Sequence, residues 1–163
     1  MSESSNELRV RRILDLYGDS LFRLGCSYLS SEADAQEIVQ DTILQYLRYQ
    51  PDFQGDLLKE KGWLMKTAAN LSRNRLRFFR NHAAEELEDN VEQPESADLR
   101  FVWDAVQSLP VRYREVIHLF YQEGYSTAEI ARLLDRREGS VRSDLHRARE
   151  KLKQILREDY DFE

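Results

Sequence analysis

Apolar residues recur every three or four positions through most of this chain, a pattern that restricts it to amphipathic helices. Between Ser31 and Tyr49 the predicted core stripe is spaced i, i+3, i+4, i+7 and i+11, at Ala35, Ile38, Val39, Thr42 and Tyr46. Only 6 glycines and 3 prolines occur among 163 residues, so the tight turns of an all-β sandwich are largely missing. The sequence therefore predicts an all-α fold.

The periodicity divides the chain into a series of helices. They are expected at residues 6–29 (broken near Gly18), 31–49, 61–80, 98–108, 110–122, 126–134 and 139–157. Two helix starts carry capping-box patterns, Ser31-Glu-Ala-Asp34 and Ser126-Thr-Ala-Glu129. The third helix has candidate core residues at Trp63, Leu64, Ala68, Leu71 and Phe78, and the last helix at Val141, Leu145, Ala148, Leu152 and Ile155. The last two helices, joined by a tight turn, indicate a C-terminal helix-turn-helix.

The charge is strongly segregated along the chain. The net charge of −6 conceals two basic blocks, residues 59–80 and residues 132–157, which carry net charges of +6 and +5. Between them, residues 81–99 contain seven acids and no Lys or Arg, with little apolar periodicity. We therefore predict two small helical bundles, residues 1–81 and 99–163, joined by a flexible acidic linker at 82–98. Two basic surfaces in one small chain indicate two contacts with a polyanion.

Several function classes are excluded by what the sequence lacks. It has no apolar run of 18 residues and no secretory signal at the N-terminus, so a cytoplasmic protein is expected. Cys26 is the only cysteine, and it lies in an apolar helical stretch that favours a core position over a redox sensor. No nucleophile–base pair, glycine-rich phosphate loop or cluster of metal ligands is visible. We expect no enzyme activity, no metal and no cofactor.

Two helices carry basic stripes of different character. In the third helix Lys66, Asn70, Arg73, Arg77 and Arg80 share one face, near Trp63, Phe78 and Phe79. Basic side chains with amides and aromatic rings suit single-stranded DNA, although the alternative places Trp63 in the core. In the last helix Arg142, His146, Arg149 and Lys153 form a stripe suited to the major groove. Thr127, Ser140 and Ser143 are candidates for hydrogen bonds to phosphate or base edges.

The second helix has a further face outside its core stripe. Gln36, Gln40, Leu44 and Leu47 lie there, flanked by Glu37, Asp41 and Gln45. Two interpretations remain open: an exposed apolar patch that docks on a protein partner, or leucines buried within a small bundle.

These motifs resemble bacterial RNA polymerase sigma factors. Asp34-Ala-Gln-Glu-Ile-Val-Gln-Asp-Thr-Ile-Leu44 and Gly62-Trp-Leu-Met-Lys-Thr-Ala-Ala-Asn70 are similar to region 2 of that family. Leu109-Pro-Val-Arg-Tyr-Arg-Glu-Val-Ile117, Ser126-Thr-Ala-Glu-Ile-Ala131 and the segment from Gly139 to Leu152 are similar to region 4. The two-region layout resembles the extracytoplasmic-function (ECF) group of the sigma-70 family.

The resemblance implies a transcription initiation factor, with a role for each surface. Docking on the coiled coil of the polymerase β′ clamp would fall to Glu37, Gln40, Asp41 and Leu44. Recognition and melting of the promoter −10 element would fall to Lys66, Asn70, Arg73, Asn74, Arg77 and Arg80. The helix-turn-helix would read the −35 element beside the β flap with Thr127, Arg137, Ser140, Arg142, Ser143, His146, Arg147 and Arg149. An anti-sigma partner is also implied, and no small-molecule substrate.

Three positions depart from the family pattern. Asn74 stands where the family commonly has Asp, and Asp135 replaces the usual Gly of the helix-turn-helix turn, where Asp tolerates a left-handed backbone. Arg136 and Arg137 replace apolar or small residues and could add phosphate contacts. The main alternative, a stand-alone helix-turn-helix regulator, explains the C-terminal half but neither the Asn70 stripe nor the docking face.

Overall fold

The computed structural model describes residues 2–81 and 97–160, with side chains at 5–81 and 100–157. These residues form seven α-helices and one π-helical turn, without a strand, which confirms the all-α prediction. In chain order the elements are α1 (Ser2–Leu29), α2 (Glu32–Tyr49), α3 (Leu57–Asn81), α4 (Ala97–Gln107), α5 (Val111–Ile117), the π-helical turn (His118–Gln122), α6 (Thr127–Leu134) and α7 (Glu138–Tyr160).

The chain divides into unit 1, residues 1–90, and unit 2, residues 91–163. In unit 1 the helices α1, α2 and α3 pack against one another, and in unit 2 α7 packs against α4, α5 and α6. Residues 82–96 of the predicted linker lie outside the described residues, and Ala97 and Asp98 already belong to α4. Throughout the described ranges, none of the helices combines the length and apolarity that a membrane crossing requires.

Two helix boundaries of unit 1 differ from the prediction. Gly18 does not break α1, because packing against α2 and α3 outweighs the roughly 1 kcal/mol cost of an interior glycine. The third helix begins at Leu57 rather than Lys61, since Asp56 Oδ1 accepts hydrogen bonds from the backbone N–H groups of Leu58 and Lys59 at 3.1 and 3.2 Å. Those bonds satisfy amide donors that a helix start leaves unpaired.

The core of unit 1 lies along the predicted stripe of α2. Ala35, Ile38, Val39 and Thr42 are buried, and α1 approaches so closely that a Cβ on Gly25 would lie 3.1 Å from the Ala35 Cα. Trp63 and Leu71 of α3 are half-buried. The expectation for Phe78 was wrong: its side chain is 57% exposed, because the last buried residue of α3 is Ser72, nearly two turns earlier.

A buried carboxylate joins the three helices of unit 1. Glu60 accepts hydrogen bonds from both terminal nitrogens of Arg12 at 3.0 and 2.9 Å, from the Tyr17 hydroxyl at 2.7 Å and from the Tyr46 hydroxyl at 3.2 Å. Burial raises the pKa of Glu60, but these hydrogen bonds outweigh burial and leave the pKa below its ordinary value of 4.5. Burial, and then the hydrogen bond to Glu60, raise the pKa of Tyr17 to about 12. The charge pattern along the chain did not indicate this cluster.

Unit 2 is organised around α7. Val141, Leu145 and Ala148 are buried as predicted, and the stripe continues through half-buried Leu152 and Ile155. The helix predicted over 110–122 is instead α5 followed by the π-helical turn, in which the Glu123 N–H donates to the His118 carbonyl at 3.2 Å. This wider turn keeps His118 and the next residue, Leu119, buried together.

One of the two capping boxes is complete. At α6 the Ser126 Oγ accepts from the Glu129 N–H at 3.1 Å, and the Glu129 carboxylate accepts from the Ser126 N–H at 3.0 Å. At α2 only the serine half forms, because the Asp34 carboxylate binds Arg75 instead. Asp135 adopts the left-handed conformation expected of the turn, with φ 55° and ψ 47°.

Replacing Ser126 by Ala should lower the free energy of unfolding of unit 2 by about 1 kcal/mol, since one exposed capping hydrogen bond is lost. Urea unfolding followed by Trp103 fluorescence in a Trp63→Phe background measures this change. Ser143→Ala is the matched control, because Ser143 is exposed inside α7 and should leave stability unchanged or slightly higher. Equal losses in both variants would contradict a capping role.

Candidate functional site

The basic face of α3 is largely open to solvent. Asn70, Asn74, Arg77 and Arg80 are exposed, whereas Lys66 and Arg73 are half-buried. The six predicted −10 residues therefore lie on one helix, with two amides between the cationic side chains. Cationic groups can neutralise phosphates and side-chain amides can hydrogen-bond base edges, so this face suits nucleic acid.

The aromatic residues of α3 have separate environments. Trp63 packs edge-on against Tyr46 and Phe53, with ring centroids 6.1 and 6.4 Å apart. That half-buried position favours the core interpretation of Trp63 over a stacking role. Phe78 is exposed and meets Phe79 edge-on at 6.3 Å, which leaves an aromatic surface at the basic end of the helix.

The outer face of α2 borders an apolar groove. Leu44 is 62% exposed, Gln36 and Gln40 are exposed, and Leu47 is half-buried. The groove, about 690 Å³ in volume, runs between α1 and α2 and is lined by Val10, Leu14, Gly18, Asp19, Phe22, Gln36, Val39, Gln40, Ile43, Leu44 and Leu47. Burial of Leu44 inside the bundle, the second interpretation of this face, is therefore wrong. An exposed leucine beside such a groove favours docking to a protein.

Arg75 of α3 forms ion pairs with acidic side chains on the outer face of α2. Arg75 lies 3.2 Å from Asp34 Oδ1, 2.6 Å from Glu37 Oε2 and 3.9 Å from Asp41 Oδ2. Sequence reasoning counted Arg75 only as part of a basic block, and nothing in the local pattern indicated its partners on another helix. The cluster fixes Glu37 and Asp41 beside Gln40.

The helix-turn-helix presents most of its predicted residues to solvent. Arg137, Arg142, Ser143, His146 and Arg147 are exposed, and Thr127, Ser140 and Arg149 are half-buried. Thr127 Oγ1 donates to Glu138 Oε1 at 3.1 Å, across the turn between α6 and α7. The exposed side chains of Arg137, Arg142 and Arg147 give this surface its basic character.

Two of the arginines that the sequence suggested for DNA contacts, Arg149 and Arg136, have protein partners. Arg149 Nε donates to the Tyr121 hydroxyl at 2.7 Å, and its guanidinium lies 5.5 Å from the Phe120 and Tyr121 ring centroids. Arg136 pairs with the buried carboxylates of Glu115 and Asp144. The suggestion of a phosphate contact by Arg136 is therefore not favoured, because its side chain is directed inward.

The remaining candidate chemical groups are the cysteine and the side chains that could bind a metal ion. Cys26 is buried as predicted, and burial raises the pKa of its thiol to about 11, so it is almost entirely protonated near neutral pH. Among the described residues, His, Cys, Asp and Glu form no group of three that could hold a metal ion.

Comparison with known proteins identifies both units. The family model for Sigma-70 region 2 matches residues 13–81, and that for Sigma-70 region 4 matches residues 102–152. The ECF RNA polymerase sigma factor SigL of Mycobacterium tuberculosis is 30% identical over 159 residues, which cover 91% of this chain and 89% of SigL. The chain belongs to the ECF group of sigma factors. It is a transcription initiation factor that directs core RNA polymerase to promoters.

Further relatives support this assignment of the sigma factor. SigM of Mycobacterium tuberculosis is 32% identical over 142 residues, 83% of this chain and 71% of SigM. In fold, the chain is similar to the sigma factor RpoE in its complex with the anti-sigma factor NepR from Bartonella quintana, with a TM-score of 0.76, 24% identity and coverage of 91% and 97% of the two chains. It is also similar to CnrH in complex with the cytosolic domain of CnrY, with a TM-score of 0.68, 25% identity and coverage of 96% and 92%. SigL and SigM are both named as ECF RNA polymerase sigma factors.

Proposed function

We propose that the two units of this sigma factor have separate tasks in promoter recognition and opening. Unit 1 docks on the polymerase and melts the −10 element, and unit 2 reads the −35 element. The supporting observation is that unit 1 exposes two different surfaces on two helices, an apolar and amide face at Leu44 of α2 and a basic and amide face at Asn70 of α3. A stand-alone regulator would need neither surface.

The docking surface consists of Glu37, Gln40, Asp41 and Leu44, and its partner is the coiled coil of the polymerase β′ clamp. The apolar groove beside Leu44 can accept side chains of a partner helix, since helices pack ridges into grooves. Arg75 holds the Glu37 and Asp41 carboxylates in place, so less side-chain entropy is lost on binding.

The −10 surface consists of Lys66, Asn70, Arg73, Asn74, Arg77 and Arg80. Its cations attract the DNA backbone, while Asn70 and Asn74 offer donors and acceptors to an unpaired base. An amide at position 74 can bond a base without the repulsion that an Asp carboxylate would exert on phosphate. Phe78 adds an exposed ring for stacking.

In unit 2, Arg137, Arg142, Ser143, His146 and Arg147 contact the −35 element in the major groove, with Thr127, Ser140 and Arg149 at its margins. Unit 2 lies beside the β flap in the holoenzyme. Phosphodiester chemistry belongs to the polymerase, and this chain acts with it in the cytoplasm.

Because RpoE and CnrH were each solved with a protein partner, RpoE with the anti-sigma factor NepR and CnrH with the cytosolic domain of CnrY, we also propose that an anti-sigma factor binds this chain.

Replacing Asn70 by Ala should leave binding to core polymerase unchanged and reduce strand opening about tenfold or more, since contacts to one base are worth about 1–3 kcal/mol. The assay uses promoter DNA selected from a random library with the wild-type holoenzyme, and permanganate detects unpaired thymines. Asn6→Ala, an exposed asparagine of α1, is the matched control. Normal opening with Asn70→Ala would remove Asn70 from the −10 surface, and failure of the wild-type chain to bind core would refute the proposed function.

A further inference from the structure

Two carboxylates lie buried side by side in unit 2. Glu115 of α5 and Asp144 of α7 are each only 2% exposed. Arg136, in the turn before α7, forms ion pairs with Glu115 Oε1 and, at 3.2 Å, with Asp144 Oδ2. Arg112 Nε approaches the same Asp144 oxygen at 3.0 Å. The network therefore joins α5, the helix-turn-helix turn and α7.

The two neighbouring arginines of the turn face opposite environments. The Arg136 side chain is 14% exposed and also approaches the Arg112 carbonyl oxygen at 3.5 Å, whereas Arg137 is exposed. Two buried carboxylates repel one another unless cations neutralise them, so removal of Arg136, which pairs with both acids, leaves less positive charge to offset their repulsion. Arg112, which is 57% exposed, pairs with Asp144.

We propose that Arg136 is a positioning residue for −35 recognition: it fixes α7 against α5 through Glu115 and Asp144, and it does not contact DNA. Asp144 lies between Ser143 and Leu145 on α7 and within one turn of Arg142 and Arg147. A shift of α7 that relieves the repulsion between Glu115 and Asp144 after loss of Arg136 would therefore displace the residues that read bases. This inference rests on the proposed reading of the −35 element by unit 2.

The test compares Arg136→Met with Arg137→Met in the full chain bound to core polymerase. Competition binding measures discrimination, defined as the affinity for the selected promoter duplex divided by that for a duplex with a scrambled −35 element. Affinity is measured between about 50 and 200 mM salt. In a plot of the logarithm of affinity against the logarithm of salt concentration, each lost phosphate contact lowers the steepness of the slope by about 0.9. Two rescue variants are Arg136→Lys and the triple variant Arg136→Met with Glu115→Gln and Asp144→Asn.

Arg136→Met should lower discrimination about tenfold, the cost of roughly one mismatched base pair, without changing the salt slope. Arg137→Met should lower the slope by about one, as expected of a phosphate contact. Arg136→Lys and the triple variant should restore most of the discrimination, because the first keeps a cation and the second removes the need for one.

A lower salt slope for Arg136→Met, or unchanged discrimination, would overturn the proposal. If Arg136→Met does not fold, the triple variant decides: retained discrimination supports positioning, and a slope lowered as in Arg137→Met refutes it. A failure of the proposed −35 reading is distinguishable, because the wild-type holoenzyme would then show no discrimination before any Arg136 variant is compared.

Discussion

Replacing Glu60 by Ala should lower the free energy of unfolding of unit 1 by about 2–3 kcal/mol, because a buried hydroxyl loses an acceptor and charge-assisted hydrogen bonds are lost. The change deletes the carboxylate that accepts hydrogen bonds from Arg12, Tyr17 and Tyr46. Of these, the buried Tyr17 hydroxyl loses its shortest hydrogen bond, and the guanidinium of Arg12 loses its bidentate partner. The loss therefore loosens the packing of all three helices together.

Urea unfolding followed by Trp63 fluorescence in a Trp103→Phe background measures this effect in unit 1. Trp63 is a suitable probe because its ring packs 6.1 Å from Tyr46, a direct partner of Glu60. Glu37→Ala is the matched control: its carboxylate also pairs with an arginine, but the side chain is 57% exposed. An exposed pair contributes about 1 kcal/mol or less, so similar losses in the two variants would contradict a special role for Glu60.

The same carboxylate makes the stability of unit 1 dependent on pH. The folded pKa of Glu60 is lowered, so its stabilising contribution is complete above the ordinary pKa of 4.5 and is lost as the pH falls through the folded pKa. The stability difference between wild type and Glu60→Gln should therefore be largest near pH 7 and shrink below about pH 4.5. Urea unfolding at pH 7, 5, 4 and 3 tests this. A constant difference would show that Glu60 acts through its shape and not its charge.

Local patterns in the sequence predicted the elements of the fold but not the bonds between them. Helical spacing located the buried stripe of α2, and the Ser126 box located the start of α6. Glu60 went unrecognised because its partner Arg12 lies 48 positions away, and because a single acid in a basic block looks like a surface charge. The spacing of residues along one helix carries no information about a partner contributed by another.

The same limit applied to the candidate site. The sequence placed Arg75 in a basic block without a specific role and suggested a phosphate contact for Arg136, whereas both bind carboxylates from neighbouring helices. Exposure of Leu44 was left undecided by its position, since an apolar residue at the edge of a stripe can be buried or exposed. Packing decides these cases, and it leaves Arg77, Arg80, Arg142 and Arg147 as exposed basic side chains.

Replacing Leu44 by Asp should weaken binding to core polymerase about 30-fold or more, the effect of losing a hot-spot contact of 2 kcal/mol. Leu44 lies on the docking surface at the rim of the apolar groove, where the new carboxylate would have to be desolvated against a partner helix. The new carboxylate would also lie near Gln40 and near the acidic side chains of Glu37 and Asp41. Because Leu44 is already 62% exposed, the stability of the free chain should change by less than about 0.5 kcal/mol.

Leu8→Asp separates docking from a general effect of an added charge. Leu8 is 64% exposed, almost the same as Leu44, but it belongs to α1, outside the groove and before the segment that matches region 2. Titration of fluorescently labelled chain with core polymerase should give wild-type affinity for Leu8→Asp and weak binding for Leu44→Asp. Equal affinities would place the docking surface elsewhere on unit 1. The α3 surface is unchanged in both variants. If saturating core polymerase restores strand opening by Leu44→Asp, Leu44 is assigned to docking, and strand opening is left to Asn70 and its neighbours.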